Sequence, residues 1–407
     1  MAETLYPRPF GSRLEEKLII KEVNYNRATR NESTVAVKVM CALVFVVFSF
    51  LWLYFFQSDV MYVTQHALSG GQTRYDRLWG AVLITLVLTL LQVGIYSLTR
   101  LSKRAHALTW FPSMLLLAVL TSAGPDVDLH FTFGPWLWLF PLLIVLWGGS
   151  VWMAGNVESY DSSIDSGLFS RRMWINLLTM ALMACGVASC GNTNAVFHFR
   201  AHAEVALLRG DAKEALRVGQ RSLETDGHLM MVRMYALSRQ GLLGERLFDY
   251  PLVPSSDMML PMTPAAARLL IYPADSLYRH LGAIPRPGMT PMDYLHAIFR
   301  TGQAKPAAVD YLLCGYLIDR DLDSFASEIS RYYTVNDSLP RYYREALILY
   351  THQRNKPVLV YHDPVLDVDY QDLRKLEAEY PSENERKGKV MEKYANSYWY
   401  YYDYVKP

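Results

Sequence analysis

His66, Asp76, Asp126, Asp128 and His130 have the types and spacing from which a reactive site could be built. Gln65-His66-Ala67-Leu68-Ser69-Gly70-Gly71 precedes Asp76, and Asp126-x-Asp128-x-His130 stands further along the chain. An imidazole beside carboxylates can hold a divalent ion, or divide the work of base and acid. The alternating Asp-x-Asp-x-His lacks the i, i+4 spacing on a helix that aims two ligands at one ion. No metal or other cofactor is therefore expected, and the five residues stand as candidates for catalysis by side chains alone. Polar turn residues at a membrane surface would read the same way.

Other chemistry is sparse. His362-Asp363 and Asp367-x-Asp369 form a second acidic cluster, but Pro364 interrupts it and no glycine makes it a calcium loop. Solvated loop charges account for it. The chain has no Gly-x-Ser-x-Gly, Walker loop or dinucleotide fingerprint. Cys41, Cys185 and Cys190 lie in apolar segments and Cys314 is alone in the second half, so neither a disulfide framework nor a Cys-x-x-Cys site is available.

The elements that position these residues are apolar. Segments at about 39–56, 78–98, 107–123, 134–154 and 173–191 each approach the length that crosses hydrocarbon, the third being short with Pro112 near its start. Only closed backbone hydrogen bonding survives in lipid, so a transmembrane domain of five helices is expected over 35–191. No Asp, Glu, Lys or Arg lies within the spans; only Lys38 comes close, at an edge where it can snorkel. Five helices so poor in charge read as an anchor.

Basic residues set the orientation. The segment 1–34 carries Arg8, Arg13, Lys17, Lys21, Arg27 and Arg30. It is too long and polar for a signal peptide. Ser12-x-x-Glu15 reads as a capping box with Leu14, Leu18 and Ile19 on one face, and a surface helix or a disordered tail both fit. With this segment inside, the inner loops hold eleven Lys/Arg and the outer loops two. An odd number of crossings then places 192–407 outside.

That second half is a different kind of chain. It carries 26 Lys/Arg against 27 acidic residues, and its 216 residues suffice for a core of their own. Near-neutrality argues against nucleic acid. Phe199 to Gly227 resembles a tetratricopeptide repeat, with Ala203, Ala215 and Ser222 at the family's small positions and a tight turn at Gly210-Asp211. Leu216 and Leu223 complete the pattern, while His202 and Gly227 depart from it, standing where leucine and proline are usual. Helical patterns recur at 229–239, 274–281, 291–300, 307–318, 322–333 and 340–352, and Asp321-Leu322-Asp323-x-Phe325 echoes the first turn. Val358-Leu359-Val360-Tyr361 is the one strand-like run. At the end, Ser382 and Glu385 read as a capping box opening a helix with Val390, Met391, Tyr394, Tyr398 and Tyr401 on one face.

Leu339-Pro340-Arg341-Tyr342-Tyr343-Arg344-Glu345-Ala346-Leu347 and Asp369-Tyr370-Gln371-Asp372-Leu373 resemble uncharacterised multi-pass membrane proteins of Bacteroidota with a tetratricopeptide-like C-terminal region. The resemblance implies a bacterial membrane protein but no mechanism; with the orientation set by the basic residues, the expectation is an inner membrane, a cytoplasmic N-terminus and a periplasmic second half. The expected fold is all-α: a five-helix transmembrane bundle, then an α-solenoid of helical hairpins over 192–407. The expected function is a membrane-anchored scaffold that binds a protein or peptide, with membrane lipid as its other partner. The alternative is a membrane-surface enzyme using His66, Asp76, Asp126, Asp128 and His130.

Overall fold

The computed structural model describes residues 35–99, 101, 105–127, 134–156, 170–262 and 267–406. The expectations placed on Ser12–Glu15, Asp128 and His130 lie outside these residues. Among the described residues every regular element is helical. The chain divides between Thr193 and Asn194 into two compact units.

The first unit contains α1 (Val35–Phe56), α2 (Ser58–Leu68), α3 (Arg77–Thr99), α4 (Phe111–Thr121), α5 (Trp136–Asn156) and α6 (Arg171–Cys190). Four of them, α1, α3, α5 and α6, are long and apolar enough to cross a bilayer. Their outward faces carry Leu43, Phe55, Leu83, Leu90, Leu178 and Leu182, each more than half exposed. Such surface is a liability in water and is matched by hydrocarbon. Phe45, Trp110, Leu117 and Met180 turn inward.

The third apolar segment is a shorter helix than the expected 107–123. A 3₁₀ turn over His106–Trp110 leads into α4, and Pro112 sits in its first turn, where an N–H has no partner to lose. Side chains from neighbouring helices satisfy this irregular start. The Asn176 carbonyl oxygen accepts the Ala107 N–H at 2.8 Å, and Trp147 Nε1 donates to the Leu108 carbonyl at 2.8 Å. At the other end the Thr121 carbonyl accepts the Asn192 N–H at 2.8 Å, and Trp52 Nε1 donates to Thr121 Oγ1 at 3.3 Å. From 107 to 121, then, this segment runs alongside α6 from Asn176 to the residue pair at its end.

The second unit contains α7 (Ala195–Leu208), α8 (Ala212–Arg217), α9 (Gly227–Arg239), α10 (Leu243–Arg246), α11 (Ala274–Leu281), α12 (Pro291–Arg300), α13 (Pro306–Ile318), α14 (Leu322–Tyr332), α15 (Arg341–Gln353), α16 (Pro364–Glu379), α17 (Glu383–Tyr394) and α18 (Tyr398–Tyr404). The helices α7, α9, α12 and α13 end in the same way. The N–H of Asp211, Leu242, Gln303 or Asp321 reaches back to the carbonyl of Ala206, Leu237, Ile298 or Tyr316 at 2.8–3.0 Å. This six-residue closure needs a left-handed residue just before it. Gly210, Gly241 and Gly302 supply it, and at the fourth turn Arg320 does so with φ 60°. No other non-glycine residue among those described has positive φ.

The strand-like run at 358–361, too short to build a sheet, forms no strand: Leu359 is half-buried while Val358 and Val360 face out. One expectation changes here. The C-terminal helix is two helices. Ser382 stands at the start of α17, but its side chain makes no capping hydrogen bond. The helix stops at Tyr394, and Ser397 opens α18 by accepting the Tyr400 N–H at 3.1 Å. The break re-aims the aromatic run, so that Tyr398, Trp399 and Tyr401 are all buried.

Candidate functional site

His66 lies in the last turn of α2, its imidazole packed against Gly71, where an added Cβ would stand 3.2 Å from the ring. Asp76 caps α3: its Oδ1 accepts the N–H groups of Leu78 and Trp79 at 3.0 and 2.8 Å. Asp126 lies in the turn after α4. Among the described residues no group of three His, Cys, Asp or Glu stands close enough to hold a metal ion.

The residues of the first hairpin divide. Ala203, Ala215 and Leu216 are buried at the crossing of α7 and α8. Asp211 caps α8 by accepting the Glu214 N–H at 2.9 Å. Leu223 is 74% exposed and lies beyond the helix. The helix ends early because Gly219, at φ 63°, sits under Phe199, where a Cβ would approach the ring to 2.7 Å.

Sequence reasoning missed the buried carboxylate of Glu204. It accepts the backbone N–H groups of Leu270, Ile271 and Tyr272 at 2.8, 2.8 and 3.1 Å, and the Arg200 Nε at 3.2 Å. The signal was present as Arg-x-x-x-Glu inside an otherwise apolar helix. Its work is to fasten the 270–272 segment to α7.

A cleft of about 450 Å³ opens between the starts of α15 and α16, lined by Asp337, Arg341, Arg344, Asp363, Val365 and Leu366. Asp363 is the hinge of its wall. Its Oδ1 accepts the Val365 and Leu366 N–H groups at 3.0 and 3.1 Å, while Oδ2 meets Arg344 Nη1 at 3.0 Å. Burial alone would raise this carboxyl, but the amides of Leu366 and Val365 and the Arg344 guanidinium outweigh it and hold it below its ordinary value. Pro364, read from sequence as an interruption, is the first residue of α16, where it suits a helix start. His352 and His362 both approach Asp367, at 3.0 and 3.4 Å, and with Asp363 buried as the cap of α16 and Asp367 and Asp369 inside that helix, the cluster is a helix start and not the expected set of solvated loop charges.

Val365 lines this cleft, and the chain just before and within α16 leaves further apolar side chains in solvent. Val358, Val360, Val365 and Val368 are 83%, 56%, 68% and 55% exposed. A single exposed valine needs no explanation, whereas four within eleven residues mark a surface suited to a partner. The arrangement offers apolar contact beside the Arg341 and Arg344 guanidinium groups.

These features define an all-helical protein with membrane-length apolar helices and a separate helical unit. Residues 288–405 are similar to a family of unknown function, DUF6057, and the match runs from α12 to α18, taking in the cleft. Neither the curated proteins nor the solved structures contain a match to the chain.

Proposed function

We propose that the chain is a membrane-anchored helical-repeat scaffold whose second unit binds a protein or peptide partner. The observation that carries this reading is the cleft between α15 and α16, lined by exposed Val365, together with exposed Val358, Val360 and Val368 within the same eleven residues of chain. Such a surface buries apolar side chains of a partner while Arg341 and Arg344 orient its polar groups. Turn closures repeated at Asp211, Leu242, Gln303 and Asp321 support the tetratricopeptide-like, solenoid-forming part of the reading.

The membrane part is a bundle of five crossings in a bacterial inner membrane, with a cytoplasmic N-terminus and a periplasmic second unit. The ties of Ala107 to Asn176 and of Thr121 to Asn192 support a fifth crossing, because the segment 106–121 covers the same stretch as α6. Eleven basic residues on one side against two on the other support the orientation. The enzyme alternative gains nothing from Asp76, whose Oδ1 is engaged in capping α3.

The test is site-specific photocrosslinking in membranes of the full chain. A benzophenone side chain at 360 or 365 should give one discrete crosslinked partner, identified by mass spectrometry, and the same probe at exposed Lys213 should not. Introducing Val365→Asp should abolish the crosslink from 360. Equal labelling from 213 and 360 would count against the reading.

A further inference from the structure

Lys38 and His106 are the ionisable groups of the first unit for which neither anchoring nor scaffolding has a use. Lys38 is in the first turn of α1, yet its side chain lies along the bundle. Its Nζ stands 4.4 Å from the centroid of the Tyr96 ring on α3. His106 meets the same ring edge-on, with centroids 5.1 Å apart, and is 4% exposed. Among the described residues neither the ammonium nor the imidazole has a carboxylate or hydrogen-bond partner. The described acids of this unit lie elsewhere along the chain: Asp59 follows the end of α1, Asp76 precedes the start of α3, and Asp126 follows the end of α4.

The surroundings are polar on one side and apolar on the other. Gln92 Nε2 donates to Thr109 Oγ1 at 2.9 Å, and Asn176 accepts the Ala107 N–H, so these polar groups are engaged with one another. Close in sequence to Lys38 and Tyr96, Val35 and Val39 on α1 and Leu98 on α3 are 58%, 57% and 85% exposed. A half-buried cation at the border of hydrocarbon with no counter-charge among the described residues is costly. The anion that completes it must bring its own apolar body to cover these side chains. A free phosphate cannot do this.

We propose that Lys38 and Tyr96 form a headgroup site for an anionic phospholipid at the end of the bundle where α1, α4 and α6 begin. The lipid phosphate rests against the Lys38 ammonium, the Tyr96 face holds that ammonium in place by cation–π attraction, and the acyl chains lie along Val39 and Leu98. His106 is a positioning residue that fixes the Tyr96 ring. The site requires only that the first unit sit in a bilayer and is independent of any partner at Val360.

The experiment is native mass spectrometry of the full-length protein released from detergent and titrated with phosphatidylglycerol. The wild-type chain should retain one adduct that phosphatidylcholine does not match. Lys38→Ala should weaken it about five-fold, the factor corresponding to about 1 kcal/mol for one basic group at an anionic surface. Lys38→Arg should restore it, and Tyr96→Leu should weaken it with helix content unchanged by circular dichroism. If Lys38→Ala proves unstable, Lys38→Gln takes its place in the same comparison. Unchanged phosphatidylglycerol binding in the neutral variant overturns the site. So does equal binding of phosphatidylcholine, or displacement of the lipid by inorganic phosphate.

Discussion

The carboxylate of Glu345 on α15 accepts the backbone N–H of Tyr398, the first residue of α18, at 2.6 Å. Its other oxygen takes Arg341 Nε at 2.8 Å, and its main-chain carbonyl accepts Trp399 Nε1 at 2.8 Å. The phenols of Tyr398 and Tyr401 donate to the carbonyls of Leu317 and Ile318, which end α13. The aromatic run of α18 is thus stitched into the core of its own unit. Burial raises the Glu345 carboxyl in spite of Arg341, so this buried acid is held by specific bonds and not by a favourable medium.

Replacing Glu345 by Gln should loosen this joint. A hydrogen bond to a charged group contributes about 1.5–3 kcal/mol, so amide exchange over 398–404 should quicken by at least about tenfold. Deleting residues 394–407 should go further and lower the melting temperature of the second unit. It removes Tyr398 and Tyr401 from Phe248, whose ring centroids lie 5.0 and 4.8 Å away. Two such rings amount to about 2–4 kcal/mol of burial. Unchanged melting, with loss of liposome binding, would return the run to the bilayer surface.

The Asp363 cap should be sensitive to acid. Its folded carboxyl is held low, so its stabilisation is complete above the unfolded value of about 3.9 and fades as pH falls through the lower folded value. Asp363→Ala should speed exchange in the first turn of α16 at neutral pH by about five-fold, matching the loss of about 1 kcal/mol for a helix cap. The difference between the two proteins should start to shrink below about pH 4 and close only as pH falls through the lower folded value. A difference that persists undiminished at acid pH would mean that packing of Asp363, and not its charge, does the work.

Local rules were readable in the sequence and distant ones were not. The limits of α11 and α12 follow from their flanking prolines and glycines, because caps are settled within a few residues. The role of Asp76 was readable in the same way, since an Asp just before an apolar helical run is an N-cap signal. The partners of Glu204 were not, because the amides it binds lie some 66 residues along the chain. The break at 395–397 was hidden for a different reason. Apolar residues at 390, 394, 398 and 401 keep helical spacing straight through it, and only contacts with α13 and α15 reward the change of direction. The valines at 358 and 360 showed extended propensity correctly, but propensity does not reveal whether a second strand is present.

Topology can be checked directly. Reporter fusions after residues 30, 104 and 165 should report the cytoplasm, and fusions after 70, 127 and 230 the periplasm. The fusion at 230 is decisive, since only a full crossing by His106–Thr121 makes the number of spans odd. A cytoplasmic signal there would leave four crossings and move the second unit to the other side.

The turn before α14 offers the last test, because it sets backbone strain against a tertiary latch. Gly210 has φ 80° with nothing within 4 Å of an added Cβ, so Gly210→Ala measures left-handed strain alone. It should cost about 1–2 kcal/mol. Arg320 holds the equivalent backbone shape with a side chain that cannot relax it. Its guanidinium donates to the Val405 and Tyr401 carbonyls and lies 5.4 Å from the Tyr401 ring centroid. Arg320→Ala loses that latch and keeps the strain, while Arg320→Gly loses the latch and relieves the strain. The Gly variant should therefore be the more stable of the two by about 1 kcal/mol, read as a higher urea midpoint in pulse proteolysis of the full chain. Both should expose the C-terminal segment to carboxypeptidase sooner than wild type. If Arg320→Gly matches or exceeds wild-type stability with its C-terminus still protected, the latch contributes nothing, and the left-handed Arg320 must be explained by the turn alone.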